Sequence, residues 1–224
     1  LRALGHWLAY YDGGEYAELV SDPDRDIHFH NACLFGIHER GKEIPKLTRD
    51  LSKRLIYCVL YGGGAKKTGS IIAPKESEHK QYEKGKQTID TFYQNLPAIK
   101  KLKDQVESTL SNRDYLIGID GRHLQIRSKH SALNQLLQST GAITVKKATT
   151  ILYDDMTDKG LKFFKDWGFV AHVHDEYQCL LRPEYTDLFQ ELAIDSFRKS
   201  GEYFKLKCPL TGEAKIGKNW CETH

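Results

Sequence analysis

No Cys-x-x-C pair occurs among the five scattered cysteines, Cys33, Cys58, Cys179, Cys208 and Cys221. A structural zinc site and a disulfide framework are therefore not expected, and a reducing compartment is the simpler setting. No apolar run reaches the roughly 20 residues needed to cross a bilayer, and the mean hydropathy is −0.55, so no membrane segment is expected. The opening stretch LRALGHWLAYYDGG lacks the basic head and small-residue cleavage site of a secretion signal. Methionine occurs once, at Met156, and the first residue is Leu1, so the sequence reads as a fragment or a processed piece. Internal repeats and low-complexity tracts are absent too.

Net charge is also small, at +3 over 224 residues, but it is unevenly spread. Residues 40–103 carry 15 Lys and Arg against 6 Asp and Glu, while the remainder carries 18 against 24. A basic segment beside an acidic one suits a partner bearing phosphates and a site built of carboxylates.

Hydrophobic periodicity predicts helices over residues 1–11 and 15–20, then 27–35, each bounded by turn residues. His28 and His30 form an H-x-H pair that a helix splays apart, which weakens a zinc reading. A helix with Thr48 as its N-cap is expected next, ended by Gly62, Gly63 and Gly64. The segment AKKTGSIIAPKES reads as turns, followed by helices over 76–95 and 97–110. Around Asp120-Gly121 the runs YLIGI and HLQIR predict a hairpin. A long helix is expected over 131–155, then two strands in FVAHVHDEYQCLL, a helix over 183–200, and a strand-like tail.

The stretch RDLSKRLIYCVLYGGG, residues 49–64, organises the rest. On a helix Arg49, Lys53, Tyr57 and Tyr61 recur every fourth position, so two cations and two aromatic rings share a stripe. Arg and Lys can grip a triphosphate, and a tyrosine further along offers a flat ring to a base or sugar. Leu55, Ile56, Val59 and Leu60 lie on other sides and can bury the helix. The pattern Arg-x-x-x-Lys-x-x-x-Tyr-x-x-x-Tyr-Gly resembles the nucleotide-binding helix of family A (Pol I-type) DNA polymerases.

Further resemblances to that family follow in order. His-Asp-Glu at a predicted hairpin tip, residues 174–176, resembles its palm carboxylate motif, and adjacent carboxylates on a rigid turn are hard oxygen ligands suited to magnesium. By itself the pair is also an ordinary polar turn. The resemblance implies that Asp175 binds metal, Glu176 is an auxiliary carboxylate, and His174 lies near the primer end. In HSALNQLLQSTGA, Asn134 and Gln138 share a helix face and can donate to the acceptors that every base pair shows in the minor groove. Gly121-Arg122 matches a Gly-Arg element whose arginine lies against nucleic acid, and His28 matches a histidine near the triphosphate. His130 stands where many members have arginine.

YDGGEYAE, NQLLQS and HDEYQ look most like the bacteriophage replicative branch, which implies the cytoplasm of an infected host cell. Tyr57, by the sugar in that branch, implies tolerance of a sugar lacking its 3′-OH. The family's first carboxylate motif ends in Leu-Arg, and this chain opens with Leu1-Arg2, so the other metal-binding aspartate is expected to lie before residue 1. Neither Asp12 nor Asp26 matches it.

The resemblance implies an α+β fold, with a helical fingers subdomain and a palm with a small antiparallel sheet, part of a right-hand polymerase. The expected divisions are a palm/fingers junction helix over 1–12, fingers over 13–116 and palm over 117–224. The implied activity is template-directed DNA synthesis with two magnesium ions on primer-template DNA and deoxynucleoside triphosphates, completed by an upstream polymerase portion. Two other readings compete. Lys67-Thr68 could end a phosphate-binding loop, but Tyr61 and Lys66 then fall where glycines are required. Alternatively the chain is a DNA- or nucleotide-binding module without activity of its own.

Overall fold

The computed structural model describes residues 1–173 and 175–223. Helix α1 (Arg2–Asp12) ends at Gly13, whose φ of 68° turns the chain sharply into α2 (Glu15–Ser21). Helix α3 (Ile27–Leu34) is capped by Asp26, whose carboxylate accepts from the His28 N–H at 2.9 Å. Because α3 is helical, His28 and His30 do diverge.

Helix α4 (Lys46–Leu60) begins earlier than expected. Pro45 has φ −61° and ψ 142°, so its ring already fixes an extended entry and the helix starts directly after it. Thr48 therefore lies inside the first turn and is not the N-cap. At the other end Gly62 donates to Val59 O and Gly63 to Cys58 O at 2.7 Å. Those two bonds satisfy carbonyls the helix would leave open, and Gly62 takes the φ of 79° that the motif requires.

The segment expected to be turns is instead helix α5 (Ala65–Ile72). It packs against α6 (Glu78–Asn95), and the glycines at the crossing explain why. A Cβ on Gly69 would sit 1.6 Å from Gln81 O, and one on Gly85 1.9 Å from Ala65 O. Gly69 thus serves close backbone approach between helices rather than a turn. Helix α7 (Pro97–Asn112) starts with Pro at its first position, where a missing N–H costs nothing.

Strands β1 (Tyr115–Ile117) and β2 (His123–Gln125) form the expected hairpin, with Leu116 opposite Leu124 and Gly121 at φ 81° in the turn. Helix α8 (Ala132–Asp158) then runs for 27 residues, roughly 40 Å. Strands β3 (Trp167–Val173) and β4 (Glu176–Leu181) make a second antiparallel pair. Its register slips between Phe169 and Ala171, a bulge that leaves Val170 out of step. Helix α9 (Thr186–Tyr203) returns along α8. The tail carries no strand among its described residues; it ends in a short helix α10 (Trp220–Thr223).

Among the described residues two hydrophobic cores result, and α8 reaches both. The larger joins Leu4, Leu8, Phe35, Leu55, Ile56, Phe92 and Ile99 to Leu133 and Leu136 at the start of α8. The smaller sets Leu152 and Met156 from its end against Trp167 and Leu192. Each such side chain fully buried contributes about 1.5–3 kcal/mol. Specific polar contacts fix the helices around α8. The Trp7 indole donates to Thr140 Oγ1 at 3.0 Å, and Ser200 Oγ donates to Thr144 O at 2.6 Å. Among the described residues the arrangement is α+β, helices with two small antiparallel sheets, as the resemblance implied. Among the described residues no helix is long and apolar enough to cross a membrane.

Candidate nucleotide and nucleic-acid cleft

Helix α4 buries Ser52, Leu55, Ile56 and Leu60, which turns the Arg49-Lys53-Tyr57 stripe outward. Tyr57 is 41% exposed and Tyr61, the residue that ends the helix, 55%. Their rings lie 5.9 Å apart and tilted by 39°, so the two form one aromatic step. The close of α4 is pinned from the far side. A Cβ on Gly62 would approach His130 O to 2.5 Å, so the glycine lets α4 lie directly on the backbone leading into α8.

That contact brings α4, α8 and the β2 strand around a cleft of about 1320 Å³. Tyr57 and Tyr61 line it, with Asn134 and Gln138 from α8 and Asp175 from the β3–β4 turn. Residues separated by more than a hundred positions in sequence are thus gathered into one space. Val173 pairs with Glu176, and Asp175 is exposed at the turn between them. Glu176 is instead the half-buried first residue of β4, and its Oε1 accepts from Gln178 Nε2 at 2.7 Å. The expectation that both carboxylates stand out at the tip therefore holds for Asp175 only; Glu176 is half-buried and held by Gln178, two residues along the same face of β4. The expected contact at His174 lies outside the described residues.

The cations of the stripe sit beside the cleft rather than in its wall. Lys53 is one turn before Tyr57, and Arg49 one turn before that, about 6 Å per step. Arg49 Nε pairs with Asp26 Oδ2 at 2.6 Å. His28 faces both cations. Burial, then the charges of Arg49 and Lys53, lower its pKa below the ordinary 6.5, so the imidazole is neutral at pH 7. Its Nδ1 is buried without a hydrogen bond. Ser52 Oγ donates to the His28 carbonyl at 2.8 Å and ties α3 to α4 at this point. His28, Arg49 and Lys53 therefore lie together where α3 meets α4. Arg122 is exposed on the β1–β2 turn and ion-paired with Asp120; it does not line the cleft.

Burial, followed by Tyr61 and Asp175, raises the pKa of Tyr57 above 10.0, so its phenol stays protonated and lies within electrostatic reach of the carboxylate. A family model described as DNA polymerase family A matches residues 16–222. The chain belongs to that family. The DNA-directed DNA polymerases of Enterobacteria phage T3 and Escherichia phage T7 are 35% and 34% identical to it, across the whole chain and 32% of each relative. DNA polymerase I of Aquifex aeolicus is 25% identical over 91% of the chain and 36% of its own length. The chain thus spans about a third of the length of these relatives. A solved structure described as the POL domain of Pol1 from M. smegmatis in complex with DNA primer-template and dNTP shares the fold. Its TM-score is 0.82 at 18% identity, over 99% of this chain and 38% of that one.

Other residues complete the cleft wall of this family A chain. Leu1 and Arg2 from the start of α1, and His123 and Gln125 from β2, line it alongside Asp175. Leu1 and Arg2 match the end of the family's first carboxylate motif, whereas His123 and Gln125 belong to no motif with a periodic or spacing signature. Strand alternation in HLQ could have paired His123 with Gln125 on one face, but nothing local says that this face meets a cleft.

Proposed function

We propose that this chain is the fingers and part of the palm of a template-directed DNA polymerase. Residues 1–12 would form a junction helix, 13–116 the fingers and 117–224 the palm. The observation that carries the reading is the continuity from the His28-Arg49-Lys53 corner, along α4, into the cleft that Asn134, Gln138 and Asp175 share.

Each group has a defined task in this reading. Arg49 and Lys53 bind and orient the triphosphate of an incoming deoxynucleotide. His28, neutral at pH 7, meets it through hydrogen bonding rather than charge. The Tyr57 ring lines the sugar pocket, and Tyr61 stacks near the template. Asn134 and Gln138 carry amide N–H donors that read acceptors common to every base pair, so they check pair shape without choosing sequence.

The carboxylate oxygens of Asp175, with Glu176 beside it, are the donor chemistry that Mg2+ takes from proteins, one or two carboxylates with the rest from water and phosphates. Among the described residues no group of three or more His, Cys, Asp or Glu is close enough to hold an ion alone. Asp175 would therefore hold metal jointly with groups outside these residues. Leu1 lines the same cleft as Asp175, so sequence joined before Leu1 would be delivered next to it. When bound, two such ions activate the attacking oxygen and stabilise the leaving one in nucleotidyl transfer.

The test is magnesium-dependent primer extension by this chain alone and by the chain joined to an upstream polymerase portion. Extension is expected in the joined form, with Lys53→Ala raising the deoxynucleotide KM about ten-fold or more. Unchanged KM and turnover would remove α4 from the nucleotide site. A second reading, a DNA- or nucleotide-binding module, is favoured by the engagement of Glu176 with Gln178, which leaves Asp175 as the exposed carboxylate of the pair. It predicts DNA binding without extension in either form. The phage relatives are consistent with action in the cytoplasm of an infected host cell.

A further inference from the structure

The outer face of the β1–β2 hairpin is built more rigidly than an exposed turn needs. Leu116 and Leu124, partners across the hairpin, point into the larger core, so Tyr115, Ile117, His123 and Gln125 take the opposite face. The His123 imidazole stacks flat on the Tyr115 ring, with centroids 3.9 Å apart and planes within 16°. The Arg113 guanidinium lies over that same ring, 4.7 Å from its centroid. Arg113 Nε is buried and without a hydrogen bond, so the ring beneath it is a principal contact.

The polar groups around this stack are nearly all engaged. Gln125 Nε2 donates to Asp114, and Arg122 Nε is paired with Asp120. Asp120 is thereby charge-paired, and Asp114, which keeps its charge, is hydrogen-bonded. His123 is exposed and lines the cleft that Asn134 and Gln138 line. A side chain held flat against a ring has already lost most of its rotamer freedom, so binding through it costs little further ordering.

We propose that His123 is a further DNA contact, donating a ring N–H to a backbone phosphate of the primer-template duplex, with Tyr115 as its positioning residue. This rests on the polymerase reading given above. The contact positions the duplex and reads no sequence. Tyr115 acts only by holding the imidazole in place.

The experiment is titration of a fluorescent primer-template with the full chain and its variants, with thermal midpoints as the folding control. His123→Ala is expected to raise the DNA Kd about five- to ten-fold. His123→Gln, which keeps an N–H donor, recovers most of that loss. Tyr115→Leu weakens binding by itself but adds nothing to His123→Ala, a coupling that a merely structural role for Tyr115 would not give. An unchanged Kd for His123→Ala overturns the inference, as does an equal loss in the Ala and Gln variants. If the unaltered chain binds no primer-template at all, the polymerase reading beneath the inference fails with it.

Discussion

Arg49 and Asp26 are joined by an ion pair of 2.6 Å, and the same carboxylate caps α3 through the His28 N–H. The cation best shaped to fork onto a phosphate is therefore held by an acid. Burial pushes the Asp26 carboxyl up, but the Arg49 guanidinium and the His28 and Phe29 N–H groups outweigh it and hold its pKa below the ordinary value. The sign follows: this stabilisation is complete above the unfolded carboxyl pKa, about 4, and is lost as pH falls through the lower folded value.

Asp26→Asn tests what the pair does for ligand. Asparagine caps a helix as well as aspartate, so α3 should keep its start. The charge competing for Arg49 is gone, and the site gains one unit of positive potential. The deoxynucleotide KM should fall about two- to three-fold at low salt and converge with the parent at high salt. A raised KM would mean that Asp26 orients Arg49 rather than competing for it.

His6, buried on α1, supplies a pH-dependent term of its own. It is 4% exposed, and its Nδ1 accepts from the Lys207 N–H at 3.1 Å, which requires the unprotonated ring. Burial, then Lys207, lowers its pKa to about 4. Below the unfolded value of about 6.5 the unfolded chain takes up the proton first, so stability falls from there down to about pH 4. The loss is about 3 kcal/mol at the bottom of that window. Denaturant melts at pH 7.5 and 4.5 should show it, and His6→Asn, which keeps an acceptor in place, should flatten the difference.

Gly69→Ala addresses the crossing of α5 and α6. The added methyl meets the Gln81 carbonyl, which is backbone and cannot swing aside. The helices must separate, at a cost of about 3 kcal/mol or more. The urea midpoint should drop accordingly, while a surface substitution such as Lys86→Ala should leave it unchanged. A Gly69→Ala midpoint equal to that of the parent would show that the two helices do not touch there.

That glycine also marks the limit of reading the chain from its sequence. The α4 stripe was legible because a period of 3.6 is local, and the end of α4 because three glycines can hardly continue a helix. The two hairpins were legible from their turn residues. Helix α5 was not, since a glycine that permits close helix contact is written like one that permits a turn. The tail failed likewise, too short for any period to appear in α10. The cleft was legible in its motif residues, Leu1 and Arg2 among them, and invisible at His123 and Gln125, which join it through contacts across the fold. The start of β4 at Glu176, whose carboxylate accepts from Gln178, was not legible either, because a turn and a strand start are written alike there.

Tyr57 gives the sharpest test of the cleft's chemistry. Its hydroxyl stays protonated, because burial, Tyr61 and Asp175 all oppose ionisation. A protonated phenol in a sugar pocket is a hydrogen-bond donor and acceptor that phenylalanine lacks. On the proposed polymerase reading it can stand in for the group missing from a 2′,3′-dideoxynucleotide, so the chain joined to an upstream polymerase portion should use that analogue almost as readily as a deoxynucleotide. Tyr57→Phe keeps the ring and its step onto Tyr61 but removes the hydroxyl. Incorporation of the dideoxy analogue should then fall at least ten-fold relative to the deoxynucleotide, about 1.4 kcal/mol or more of discrimination. Competition between the two nucleotides at a single template position measures that ratio directly. Because only the ratio is read, partial loss of overall activity does not obscure it. An unchanged ratio would place the Tyr57 hydroxyl away from the sugar and return the residue to the role of an aromatic spacer.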